Sequence, residues 1–410
     1  MYIILFVENL QNLFSLKPAI NLWSIKREIL IWLGLGIVLY GISYLLDTTV
    51  FDFIDVYFRR PWIDHVSVLL TEQLVYGIFI LFLLGAVFRA WYNEDNRSKL
   101  LPGAFALCTT SIVTVVIKQF FAIPRPFLQF ENLDPLVSAS FASFPSGHTA
   151  ASFSLLIPLY RANKVLGCLW GFFAVLIGIS RIYQNVHFPS DIAGGIFLGG
   201  VIGAIFSNPN TELLLRKWWK ELEFRRQSFH FLSGFLCVFA LWAGILNWWV
   251  LLILLFVGLV ISAISVKRTI PYISDILKMF DRKRDQKFPG RGAFYYVLGI
   301  FLAIFLFPTK IAYASVLILA VGDSLNHLFW ARSPRRINLP WNRRKHVIGV
   351  LIGILAGTFA AQFFVPLIPA FVASSVALIS ETFPLKIRGF YIDDNVFIPL
   401  IAGGILFILA

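Results

Sequence analysis

Long apolar runs separated by short polar segments dominate the chain. A membrane-spanning helix needs about 20 mostly apolar residues, and by that rule the sequence predicts about twelve or thirteen spans. The first six are expected near 29–46, 70–88, 101–120, 148–160, 165–181 and 190–206. A polar stretch follows, 207–229, with Arg216, Lys217, Lys220, Arg225 and Arg226. Apolar runs resume near 230–245, 247–266, 292–308, 311–330, 346–365, 367–383 and 396–410. The expected fold class is therefore all-α, a polytopic integral membrane protein of two helical bundles. Residues 1–206 form the first domain, 207–229 a linker and 230–410 the second. Ahead of the first span, Phe6, Leu10, Phe14 and Trp23 are spaced to lay a short helix along the membrane surface.

Composition agrees with this pattern. Of 410 residues, 58% are hydrophobic and only 14% charged, with a mean hydropathy of +0.78. Soluble domains carry roughly 25% charged residues, so an ordinary cytosolic globule is excluded. The 42 Phe, 12 Trp and 13 Tyr suit a membrane interior and its interfaces. Cys108, Cys168 and Cys237 lie far apart in apolar runs, which suggests neither a disulfide framework nor a zinc site. The first 28 residues lack the basic–apolar–small pattern of a removed signal peptide.

The net charge of +13 matters through its placement. Alternating through the expected spans leaves only Arg59, Arg60, Lys118, Arg125, Arg181 and Lys310 on one side. The other 29 of the 35 Lys and Arg fall on the side of the N-terminus. Cytoplasmic loops retain Lys and Arg, so that side is expected to be cytoplasmic.

Three polar groups interrupt the first six spans: KQFFAIPRP (118–126), PSGH (145–148) and SRIYQNVHFPSD (180–191). Each sits at span ends on the outer side. Lys118, Arg125 and Arg181 suit the neutralisation of a phosphate and of the charge developing as it is transferred. Ser146, Gly147 and His148 open a helix whose first amides form an anion site. His187 and Asp191 are one helical turn apart, so the carboxylate can orient the imidazole. His148 is left to act as a general acid.

In this order and spacing, KxxxxxxRP, PSGH and SRxxxxxHxxxD match at eleven positions and resemble the type 2 phosphatidic acid phosphatase family, which shares its site with the vanadium haloperoxidases. The resemblance covers roughly residues 25–206. It implies that His187 is the nucleophile forming a phosphohistidine, that His148 protonates the leaving alkoxide and then activates water, and that Asp191 orients His187. Lys118, Arg125, Ser146, Gly147 and Arg181 would hold the phosphate, with no metal and no cofactor. Haloperoxidase activity is not expected, because those enzymes are soluble.

A second set of polar residues lies beyond residue 267: DRKRDQKFPGRG (281–292), VGDSLNHLFW (321–330), a loop with Arg332, Arg335, Arg336, Arg343, Arg344 and Lys345, then Glu381 and YIDDN (391–395). All face the cytoplasmic side by the same alternation. Acidic residues in or beside spans are costly and usually functional. Asp323, Glu381, Asp393 and Asp394 are candidates for binding magnesium, with the basic loop on a nucleotide's phosphates. His327 and His346 are expected to be structural.

This half resembles the superfamily of dolichol kinase, phytol kinase and phosphatidate cytidylyltransferase. The matching residues are PGRG with Arg291, Gly322–Asp323, Lys345 with Gly349, Glu381, and Asp393–Asp394–Asn395 followed by Ile398–Pro399. The resemblance implies CTP and magnesium acting on a membrane lipid alcohol. LNHLFWARSP replaces the glycines usual after the Gly–Asp pair, and His346 replaces the usual Ser or Thr after the lysine.

The expected protein is a multi-pass fusion in a prokaryotic plasma membrane. Its outward-facing phosphatase acts on a lipid phosphate or prenyl diphosphate, and its cytoplasmic CTP-dependent kinase acts on a polyprenol. Nucleic acid is not expected as a partner. Alternatives are a cytidylyltransferase or an inactive docking domain in the second half, or a lipid transporter or scramblase overall.

Overall fold

The computed structural model describes residues 22–92, 100–131, 133–139, 141–219, 221–242, 244, 246–282, 287–332, 337–383, 386–387, 390–391 and 393–409. Most of the expected surface helix at 1–28, Lys220, and Arg335 and Arg336 of the basic loop lie outside these residues. The chain forms two compact units, Pro18–Lys217 and Trp218–Ala410. Both are helical, so the chain is an all-α, multi-pass membrane protein.

The first unit contains α1 (Leu22–Leu46), α2 (Thr49–Tyr57), α3 (Pro61–Val68), a π-helical turn (Leu69–Leu74) and α4 (Val75–Tyr92). Then come α5 (Leu101–Phe121), the short α6 (Pro126–Gln129), α7 (Gly147–Ala162), α8 (Lys164–Tyr183), α9 (Pro189–Ser207) and α10 (Pro209–Trp219). Proline in the first turn opens α3, α5, α6 and α9, where its missing N–H costs nothing. Ala122 closes α5 in the left-handed region, at φ 47°. Asn163 starts α8 by accepting from the Leu166 amide at 3.0 Å.

Helix α9 is the centre of this unit. Gly195, Gly199 and Gly203 line one of its faces at four-residue spacing and lie directly on α7. A Cβ at Gly195 would come within 2.8 Å of the Ser146 carbonyl, and one at Gly203 within 2.7 Å of the Ser154 carbonyl. At Gly199 it would collide with the Ala150 carbonyl. Small residues let helix backbones approach in lipid, where no hydrophobic force drives helices together. Gly199→Ala is therefore expected to cost about 1–3 kcal/mol of stability, read as a lowered thermal-denaturation midpoint in detergent.

The second unit comprises α11 (Leu222–Trp242), α12 (Trp248–Lys267), α13 (Ile273–Phe280), α14 (Arg291–Leu306), α15 (Thr309–Leu317), a second π-turn (Ile318–Asp323) and α16 (Ser324–Arg332). A hairpin of β1 (Asn338–Leu339) and β2 (Asn342–His346) precedes α17 (Val347–Ala361) and α18 (Leu367–Ser380). A second hairpin, β3 (Lys386–Ile387) and β4 (Phe390–Tyr391), precedes α19 (Asp394–Leu409). Its core is built from residues such as Tyr296, Ile300, Ile318, Leu378, Ile398 and Leu406.

The two units divide inside the polar stretch 207–229, and α10 and the first turns of α11 occupy most of it. Glu212 pairs with Arg216 one turn on, which supports the helix. Seven helices among the described residues are long and apolar enough to cross a membrane: Ile29–Leu46, Pro61–Leu83, Leu101–Phe121, Lys164–Tyr183, Pro189–Ser207, Trp248–Lys267 and Thr309–Leu328. The apolar α14, α17, α18 and α19 are shorter; Pro308 and Pro366 stand at the starts of the helices that follow α14 and α17. Large apolar side chains such as Ile37, Phe172 and Phe256 are exposed on these helices, as a lipid-facing surface requires.

Candidate active site

His187 stands just ahead of α9 and Asp191 in its first turn. One turn of spacing brings His187 Nδ1 to 3.2 Å from Asp191 Oδ2. The same carboxylate accepts the Phe188 amide at 2.8 Å and, through Oδ1, the Ser143 hydroxyl at 3.3 Å. Asp191 therefore caps α9 and orients the imidazole at once. With Nδ1–H given to the carboxylate, Nε2 carries the lone pair, and it lies 3.2 Å from Arg125 Nη1. His187 and Asp191 are each only 1% exposed.

Cations surround this pair. Arg125 also donates to the Val186 carbonyl at 2.7 Å; burial and the nearby Arg181 bring its pKa down to about 10, so it stays charged at neutral pH. Lys118, in the last turn of α5, donates to the carbonyls of Ala142 and Ser143 at 2.9 and 2.8 Å. Arg181 Nη1 donates to Glu72 Oε1 and Gln184 Oε1, each at 2.8 Å. Ser146 caps α7, receives the Thr149 hydroxyl at 2.9 Å and donates its amide to the Asp191 carbonyl at 3.0 Å. Gly147 and His148 follow in the first turn of α7. The His148 ring lies 5.1 Å from Tyr76, and its buried Nε2 has no hydrogen-bond partner. The fold thus gathers all eight residues expected for the first site.

Burial, reinforced by Lys118, Arg125, Arg181 and His148, holds the His187 imidazole well below the ordinary histidine range. Protonation would remove the Nε2 lone pair, and a lowered pKa postpones it to more acidic solution. The acid limb of kcat/KM set by this group is therefore expected below pH ~6.5. A pH profile with a constant substrate ionisation state checks it.

Thr71, Glu72, Tyr76 and Ser143 touch this site but stand in none of the motifs, and Gln184 touches it from an unspecified position inside the third. One signal was available: Glu72 is a carboxylate inside an apolar span.

The second set of polar residues assembles only in part. Asp323, His327 and Glu381 place one ligand atom each within 4.8 Å of one another. His327 Nε2 is 3.3 Å from Asp323 and 3.7 Å from Glu381, so His327, expected to be structural, belongs to the cluster. Lys345 pairs directly with Glu381, whose other oxygen accepts from Asn326 at 3.3 Å. Burial pushes the Glu381 carboxyl up, but Lys345 and His327 outweigh it and hold it well below the usual carboxylate range. Asp394 lies within electrostatic reach of Glu381, Lys345 and His327.

Other expected members do other things. Asp393 accepts from the amide and side chain of Asn395 at 3.3 and 2.8 Å, which caps α19. The Asn395 backbone packs against Gly299. Gly322 packs α17 against the second π-turn, since a Cβ there would meet Leu378 at 2.8 Å and the Gly353 carbonyl at 3.1 Å. Arg291 lies over the Tyr295 ring, 5.5 Å from its centroid. Lys345 and Asn326 engage the Glu381 carboxylate and Asp393 is engaged as a cap, while Asp323 keeps a buried oxygen with no hydrogen-bond partner beside His327.

A buried His–Asp pair among three cations, in a helical multi-pass membrane protein, has the chemistry to hold a phosphate. Residues 99–213 match the PAP2 superfamily. Phosphatidylglycerophosphatase B of Bacillus subtilis is 30% identical over 152 residues, covering 34% of this chain and 72% of that one. The chain belongs to the PAP2 superfamily. The undecaprenyl-diphosphatase BcrC of B. subtilis is 26% identical over 144 residues, covering 35% of this chain and 73% of its own length. The bacitracin transport permease protein BcrC of Bacillus licheniformis is 31% identical over 132 residues, 32% of this chain; the chain spans 64% of that relative's length. The family match begins at residue 99, later than the expected start near 25, so α1 to α4 lie outside it.

Proposed function

We propose that the first unit hydrolyses a lipid phosphate or diphosphate through a phosphohistidine at His187 Nε2. The observation that carries this reading is the Nε2 lone pair, fixed by Asp191 and set beside the guanidinium of Arg125. Nε2 attacks phosphorus and the bond to the leaving oxygen breaks, that oxygen taking a proton from His148. Water, deprotonated by His148, then attacks the phosphohistidine; the N–P bond breaks and phosphate leaves. Lys118, Arg125, Arg181 and the amides opening α7 neutralise the phosphoryl oxygens throughout.

Two relatives are named as an undecaprenyl-diphosphatase and a phosphatidylglycerophosphatase, which supports a membrane lipid as the phosphate carrier and a polyprenyl diphosphate as the favoured substrate. The bias of Lys and Arg to the opposite side supports an outward-facing site. The test is phosphate release by purified protein from undecaprenyl diphosphate, phosphatidylglycerophosphate and phosphatidate. Release from at least one is expected; a folded protein that releases phosphate from none overturns the reading.

A further inference from the structure

The π-turn Leu69–Leu74 interrupts a 23-residue apolar helix, Pro61–Leu83. Such turns insert one residue into a helix, shift the faces on either side and are frequent at functional sites. This one carries Thr71 and Glu72. The Glu72 carboxylate holds Arg181 Nη1 at 2.8 Å, and Thr71 Oγ1, fully buried, receives the same Nη1 at 3.3 Å and Gln184 Nε2 at 2.9 Å. The Thr71 backbone also hydrogen-bonds the His148 imidazole. Tyr76, one turn beyond Glu72, packs edge-on against that ring at 64°. One short segment outside the family-matched residues therefore touches both an expected phosphate ligand and the expected general acid.

We infer that Glu72 is a positioning residue for the phosphate site, acting through Arg181. The contacts divide the guanidinium into two ends. Nη1 is anchored by Glu72, Gln184 and Thr71, whereas the buried Nε has no partner. An anchored Nη1 holds the remaining donors in a fixed plane, and a guanidinium edge held that way suits two oxygens of one phosphate. Glu72 also offsets part of the positive charge that Lys118, Arg125 and Arg181 concentrate in one buried place, a cost that lipid makes acute. The π-turn lets the Thr71 backbone and the Glu72 side chain serve two different partners.

The inference rests on the proposed phosphatase reading, and two readouts separate their failures. Binding of inorganic phosphate and hydrolysis of a lipid phosphate are measured for wild type, Glu72→Gln, Glu72→Asp, Arg181→Ala and Glu72→Gln/Arg181→Ala, each in detergent with its melting temperature. Glu72→Gln is expected to weaken phosphate binding about tenfold, the effect of one charged hydrogen bond worth roughly 1.4 kcal/mol. In the Arg181→Ala background the same change is expected to alter binding less than about twofold. Glu72→Asp should recover part of the loss. An equal fall from Glu72→Gln in both backgrounds, or none in either, overturns the inference. Wild type that binds phosphate but hydrolyses no lipid phosphate overturns the phosphatase reading instead, and the binding cycle still decides on Glu72.

Discussion

His187→Ala is expected to lower phosphate release from a lipid phosphate at least about a thousandfold. In the proposed reaction the substitution removes the atom that bonds to phosphorus, and among the described residues Arg125 and Lys118 beside it supply no replacement lone pair. Arg125 Nη1 faces His187 Nε2 at 3.2 Å, but a guanidinium has no lone pair to give. Lys118 is engaged with the Ala142 and Ser143 carbonyls. The loss should fall on kcat, because Lys118, Arg125 and Arg181 remain to bind phosphate. Two measurements check it: steady-state phosphate release, and trapping of acid-labile phosphoenzyme from radiolabelled substrate. Wild type should accumulate label on histidine and the variant none. Because His187 is buried, its melting temperature is compared with wild type, and unchanged turnover in a folded variant would remove His187 from the mechanism.

Asp191→Asn carries the second large effect, about a hundredfold to ten-thousandfold on kcat. The carboxamide keeps the shape of the side chain, but the Phe188 amide and His187 Nδ1 both meet Oδ2. With the amide oxygen at that place, the NH2 takes the Oδ1 place beside the Ser143 hydroxyl; with the NH2 there, it opposes the Phe188 N–H. In either orientation the negative charge that stabilises a cationic imidazole is lost. Asp191→Ala would differ by also exposing the start of α9, since the cap to Phe188 goes with it, at about 1 kcal/mol of stability. A wild-type melting temperature with a depressed kcat for the asparagine variant separates the loss of charge from a loss of folding; equal kcat values would show that the reaction does not need the Asp191 charge.

The first site was legible because its motif residues are set by local geometry. His187 and Asp191 meet across one turn, Ser146 and Gly147 stand where a helix opens, and Lys118 and Arg181 close apolar spans. The second half reads less well for a converse reason. Gly322–Asp323 and Asp393–Asp394–Asn395 look like ligand motifs, yet Gly322 is a packing position and Asp393 a helix cap. Short polar motifs between apolar runs serve helix ends as readily as ligands, and one sequence does not tell them apart. His327, expected to be structural, sits one turn from Asp323, a spacing visible in the sequence, and faces Glu381, a contact only the packing of the helices makes.

By itself the sequence determined that this is a multi-pass helical membrane protein and pointed to eight polar residues that the fold gathers in one place, since apolar run length and helical spacing are local properties of the chain. Only the tertiary structure decided that Lys345, and not a free carboxylate, occupies Glu381, that α9 rests on the α7 backbone through glycines, and that Glu72 holds Arg181. Those contacts join residues 36 to 109 positions apart, and which of many buried charges meet depends on how the helices pack rather than on the spacing within any one of them.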